Sequence, residues 1–121
     1  MVNRVYIDSD GLIQIWVIGD QTHETVREMG EKIGYFIEQQ RHLRRPVLVL
    51  DNLQKMGHTT SQARGEVARL AKTLTFDRAA MVGDGSAAMR YGTNLMMRAV
   101  GRSNVRYFSS LDSARIWLLD L

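Results

Sequence analysis

The sequence predicts an α/β fold in the order β-β-α-β-α-β-α-β-α. The sheet is mostly parallel, with an antiparallel N-terminal hairpin strand and helices packed on both faces. Three observations carry this. Short apolar or β-branched runs at 47–50, 79–82 and 105–108 alternate with stretches of helical apolar spacing, the pattern of parallel strands joined by right-handed crossovers. The first two β-like runs flank Asp8-Ser9-Asp10-Gly11, where Asp-Gly supplies the positive φ of a tight hairpin turn. The only proline, Pro46, stands at a helix–strand boundary, and no linker, repeat or low-complexity segment divides the 121 residues. A single domain over 1–121 is expected.

The elements follow in order. Residues 4–7 and 12–18 are rich in β-branched and aromatic side chains and read as antiparallel neighbours. Gly19 is expected to end the second strand. Thr22 can cap a helix, with Glu24 and Glu28 near its positive end. Val26, Met29, Ile33, Phe36, Ile37 and Gln40 mark its buried face, and Pro46 stops it. Residues 47–50 form a strand covered on both faces. Residues 51–59, which contain Gly57, read as a polar connection.

A second helix begins near Thr60 or Ser61 and turns Ala63, Val67, Leu70, Ala71 and Leu74 to one side. After the strand at 79–82, Gly83-Asp84-Gly85-Ser86 turns into a helix over roughly 87–100, which Gly101 ends. Following the strand at 105–108, Ser109 and Asp112 form a capping-box-like pair. The last helix carries Leu111, Ala114, Trp117, Leu118 and Leu121.

Composition excludes several classes. There is no cysteine, so a disulfide scaffold, a thiolate zinc site, an iron–sulfur cluster and a cysteine nucleophile are ruled out. The longest uncharged apolar run, 11–19, is too short to cross a bilayer. Met1 is followed by Val-Asn-Arg rather than an apolar signal core. A cytoplasmic protein is expected, with peripheral attachment at the inner membrane face as an extension.

The formal net charge is +3, and 13 of the 16 basic residues are arginine. That balance permits phosphate-bearing partners. Two arginine clusters, Arg41/Arg44/Arg45 and Arg98/Arg102, fall at predicted helix C-termini, where cations complement the helix dipole. Nucleic acid is disfavoured: it would prefer aromatic residues interleaved with basic ones on one sheet face, or a recognition helix, and the RNP signatures are absent.

Several constellations could carry chemistry. Asp8-Ser9-Asp10-Gly11 with Met81-Val82-Gly83-Asp84-Gly85 resembles the nucleophile and magnesium motifs of haloacid-dehalogenase-type phosphatases. A hairpin turn and a strand-to-helix cap explain the same residues better: Leu12 stands where those enzymes want Thr or Val, a strand follows at once, the second downstream Asp is missing, and the chain is short for that fold. Asp84 or Ser86 is expected to cap the following helix rather than to cradle an anion. His23, His42 and His58 have no second ligand at i+3 or i+4, so neither metal nor cofactor is signalled. His58 lies beside Thr59, Thr60 and Ser61 at the carboxyl end of a parallel strand, the edge that ligands favour. The helix over 87–100 is apolar on more than one side. Its Met89, Met96 and Met97 suit an adaptable contact surface, as do Leu53 and Met56, and a generously buried helix or a homodimer seam is the plainer account.

The residues Asp77-Arg78-Ala79-Ala80-Met81-Val82-Gly83-Asp84, then Val105-Arg106-Tyr107-Phe108, then Ala114 and Trp117-Leu118, together with 11–15 and Val49-Leu50-Asp51, resemble the SpoIIAA-like family, a branch of the STAS fold. The resemblance spans nearly the whole chain. It implies a small non-catalytic domain that associates with membranes or binds a small, lipid-like ligand. Better-known STAS members are anti-sigma-factor antagonists with a phosphorylatable serine in an Asp-Ser-Ser-Gly motif. This chain has His58-Thr59-Thr60-Ser61-Gln62 there, so only the place of Thr60 and Ser61 is shared.

The expected function is therefore a binding module for a lipid or a small apolar or anionic ligand. The contacts would come from Leu53, Met56, Met89, Met96, Met97, Arg98 and Arg102. A protein-interaction regulator would instead use the segment with Asp51, His58, Thr59, Thr60 and Ser61, and the Asp84–Ser86 turn. A phosphatase would depend on Asp8, Asp10 and Asp84.

Overall fold

The computed structural model describes residues 2–86, 89, 90, 94, 101 and 103–120. Five strands, β1 (Arg4–Ile7), β2 (Ile13–Gln21), β3 (Leu48–Thr59), β4 (Arg78–Val82) and β5 (Val105–Phe108), lie side by side in chain order. β1 is antiparallel to β2, and β2 to β5 are parallel. Three described helices are α1 (His23–His42), α2 (Ser61–Thr73) and α3 (Leu111–Leu119).

The pleat sends alternate side chains to opposite faces. On one face Ile13, Ile15 and Val17 of β2 join Val49 and Leu53 of β3 and Met81 of β4, against Ile33 and Ile37 of α1. On the other, Leu48, Leu50, Ala80 and Val82 pack against Ala114 and Leu118 of α3. Strand order explains the division. Parallel strands laid down in one direction with right-handed crossovers place their connecting helices on one face, so α1 and α2 share it and the C-terminal helix covers the other.

Helix ends obey local chemistry. Thr22 caps α1 in a capping box with Thr25, and Thr60 caps α2 through a 3.1 Å bond from the Ala63 N–H. The cap of α3 is Ser110, which accepts from the Ser113 N–H at 3.1 Å, one residue beyond the expected Ser109. Two serines in succession offer the same oxygen, and the helix takes the one whose register buries Ala114 and Leu118.

The largest departure from expectation lies at 51–59. This segment is not a polar connection but the continuation of β3, and β2 runs past Gly19 to Gln21 to pair with it. Gly19, at φ 75°, absorbs a register shift instead of ending the strand. Asp20 Oδ1 accepts the His58 N–H at 2.8 Å. Gly57 is needed because a Cβ there would run into Asp20, not because the chain turns. The extension follows from this pairing and has no alternating pattern of its own.

Met89, Arg90 and Asn94 are helical. The rest of the helix expected over 87–100, including Met96, Met97 and Arg98, lies outside the described residues, as does Arg102. Among the described residues, no helix is long and apolar enough to cross a membrane.

Candidate functional site

Between the sheet and the helices α1 and α2 lies a cavity of about 580 Å³. Its floor is the β2–β4 face, and α1 and α2 supply its walls. Among the described residues, the lining is apolar apart from Gln21, Asp51, Thr59 and Arg64. Met29, Met56, Met81 and Met89 all line it, and these are all the methionines among the described residues. Thioether side chains adapt their shape to an irregular guest.

Asp51 is the exceptional member. In register it stands between Ile15 of β2 and Met81 of β4, both of which also line the cavity. Its Oδ1 is buried without a hydrogen-bond partner, a costly state for a polar atom. Desolvation pushes its carboxyl up from the ordinary 3.8 to about 7.

Two of the other polar side chains are already engaged. The Gln21 side chain bonds Asn3 and the Ile18 and Gly19 carbonyls. Arg64 donates to the Thr59 carbonyl at 2.6 Å and to Ser61 Oγ at 3.1 Å.

The expected site residues fall into groups. Leu53 and Met56 are on β3, not on a loop, and both line the cavity with Asp51, Thr59 and Met89. Leu53 is buried and Met56 and Met89 pack partly buried against the core, so none stands out toward a membrane surface. His58 is exposed at the end of β3, while Thr60 and Ser61 begin α2, with Thr60 spent on the cap.

Ser86 accepts the Met89 N–H at 3.1 Å and caps the turn into the helix, while the Ser86 N–H bonds Asp84 Oδ1 at 2.8 Å. That backbone bond, with a second from the Ser86 side chain, holds the Asp84 carboxyl below its usual range.

The phosphatase constellation is split. Asp8 and Asp10 precede β2 at its amino end, whereas Asp84 follows the carboxyl end of the parallel β4. Asp8 is consumed by structure: it accepts the Asp10 and Leu12 N–H groups at 2.9 and 3.0 Å, Gln14 Nε2 at 2.9 Å and Arg115 at 3.1 Å. Parallel strands hold the two halves at opposite ends of the sheet, so no reacting phosphorus could meet both.

A second depression, of about 490 Å³, is lined by Arg90, Asn94, Arg106 and neighbours along β5. It is polar, and none of its lining residues among those described is buried.

The cavity was not foreseen as a unit. Asp51 closing an apolar strand was one visible signal, because a carboxylate there must either cap a strand or face the interior. Leu53, Met56 and Met89 are among the residues expected to contact a ligand, whereas Met29 and Met81 gave no such signal, since each sits on a different element.

A family model described as SpoIIAA-like matches residues 12–119. Two solved structures share the fold. One is an uncharacterized protein of the DUF3478 family from Shewanella loihica PV-4, with a SpoIIAA-like fold: TM-score 0.66, 16% identity, 97% of this chain and 92% of that one covered. The other is the anti-sigma factor antagonist SpoIIAA in its unphosphorylated form: TM-score 0.67, 15% identity, 99% and 100% covered. Among curated proteins there is no match.

Proposed function

The chain belongs to the SpoIIAA-like family, and from that premise we propose that it is a binding module which takes a small apolar ligand into the cavity between its sheet and α1 and α2. The observation that carries this is the cavity itself: about 580 Å³, apolar and lined by four methionines. Cavities of several hundred Å³ lined by apolar groups, with a few placed polar atoms, are the usual form of a small-molecule site. A protein interior is otherwise close-packed, and a void of this size forfeits dispersion contacts that a guest would restore. Catalysis is not needed to account for the site. SpoIIAA-like proteins are in general non-enzymatic and interact with other proteins, and Arg64 is the only other charged side chain lining the cavity among the described residues.

Titration with N-phenyl-1-naphthylamine, whose emission rises in apolar surroundings, tests the proposal. The wild type is expected to bind it saturably. Ala68→Leu/Ala71→Leu fills the cavity from α2 with good helix formers and should abolish binding while the fold is retained by circular dichroism. Equal binding by a folded double variant would place the probe elsewhere and overturn the reading.

A further inference from the structure

In a cavity of this composition one polar group stands apart. Gln21, the last residue of β2, and Arg64, in the first turn of α2, bond neighbouring groups. Asp51 Oδ1 bonds none. It lies among apolar side chains, level with Ile15 and Met81. A trapped water needs two to four polar partners, by the usual rule for buried water, and this part of the cavity offers one carboxyl. The missing partner must therefore arrive attached to something apolar.

Resting on the cavity reading above, we propose that Asp51 selects the ligand: the cavity takes a small apolar molecule bearing one N–H or O–H donor, an alkyl amine or alcohol, with that donor on the Asp51 carboxyl. A fatty acid of the same length is discriminated against, because its carboxylate would place like charge against Asp51 in a water-poor site. An ammonium group is the best complement, since it makes a charge-assisted bond and neutralises the buried carboxylate. An alcohol supplies the bond without the charge and ranks second. Desolvation of the carboxyl acts in the same direction, for an unpaired anion there gains most from a cationic partner.

The experiment displaces N-phenyl-1-naphthylamine from the intact protein with octylamine, octanol and octanoate, below their micellar range and at about pH 8, where Asp51 is mainly ionised. The expected order is octylamine, then octanol, then octanoate, with amine and carboxylate separated by about tenfold or more. In Asp51→Leu the probe should still bind and the order should collapse toward equal displacement. Asp51→Asn, nearly isosteric, should lose the amine preference and serves if the leucine variant does not fold. Equal displacement by octanoate and octylamine in the wild type would overturn the selection by Asp51, as would an unchanged order in a folded Asp51 variant. Failure of the probe to bind the wild type at all would instead remove the cavity reading, and this inference with it.

Discussion

Arg115 on α3 donates to Asp8 in the β1–β2 turn, Nη2 to Oδ2 at 3.1 Å, and also pairs with Asp10. The last helix is thereby tied to the first hairpin across the whole length of the chain. The pairing also shows why two aspartates that resemble a nucleophile motif are structural.

Replacing Asp8 with Ala should destabilise the fold by about 1–3 kcal/mol, because the Asp10 and Leu12 N–H groups lose their acceptor. Arg115→Ala should cost less, on the order of 1 kcal/mol, since its side chain is partly exposed. Burial alone would raise the Asp8 carboxyl, but its bonds from Gln14, the Leu12 N–H, Arg115 and the Asp10 N–H hold it below 3.8. The stability it contributes is thus present above 3.8 and lost as pH falls through the lower folded value. Urea unfolding of both variants between acid and neutral pH checks magnitude and sign.

Asp51 has the opposite sign. Folded, it keeps its proton to about 7, whereas the unfolded chain releases it near 3.8. Between those values the folded state binds more protons, so stability falls as pH rises and levels off above about 7. At about 1.4 kcal/mol per pH unit, the full window amounts to something on the order of 4 kcal/mol. Asp51→Leu should flatten this dependence and be the more stable protein at pH 8. A wild-type stability that rises steadily from pH 4 to 7 in urea titrations would contradict the assignment.

Gly30 of α1 meets Leu70 of α2 so closely that an added Cβ would lie 2.7 Å from both Leu70 methyls. Gly30→Ala gains helix propensity of about 1 kcal/mol, but it forces the cavity-lining Leu70 to move, at a cost of about 1–3 kcal/mol. Thermal unfolding should register a net loss or near balance, and probe affinity should change as the α2 wall shifts. Higher stability with unaltered affinity would show that the two helices have room to spare.

At the start of α2 the two adjacent hydroxyls should behave differently. Thr60→Ala removes the acceptor of the Ala63 N–H and should cost about 1 kcal/mol. Ser61→Ala removes only an exposed bond from Arg64 and should be close to neutral. Denaturant midpoints of the two variants distinguish them.

Most of the fold could be read from the chain. The turn at Asp8–Gly11, the cap at Thr22, the short buried strands and the buried faces of α1 and α3 are each encoded within a few neighbouring residues. What escaped was encoded between distant ones. Residues 51–59 become a strand because β2 extends alongside them and Asp20 takes the His58 N–H, a partnership that no local pattern announces. Glu66 is buried with Arg69 beside it and His23 Nε2 at 3.3 Å, a pairing between two helices that no local pattern announces. The cavity was hidden for the same reason: Met29 and Met81 come from elements other than the β3 strand of Asp51 and Met56, and only the assembled sheet and helices bring them to one space.

The most direct measurement follows from that assembly. With ¹³C-methyl-labelled methionine, Met29, Met56, Met81 and Met89 each place a reporter on the cavity wall. Titration with octanol should shift these four methyl resonances together, saturably and with a common midpoint, and the shifts should vanish in Ala68→Leu/Ala71→Leu. Saturable octanol binding that leaves the four unmoved, or no binding at any concentration below its solubility limit, would contradict the account.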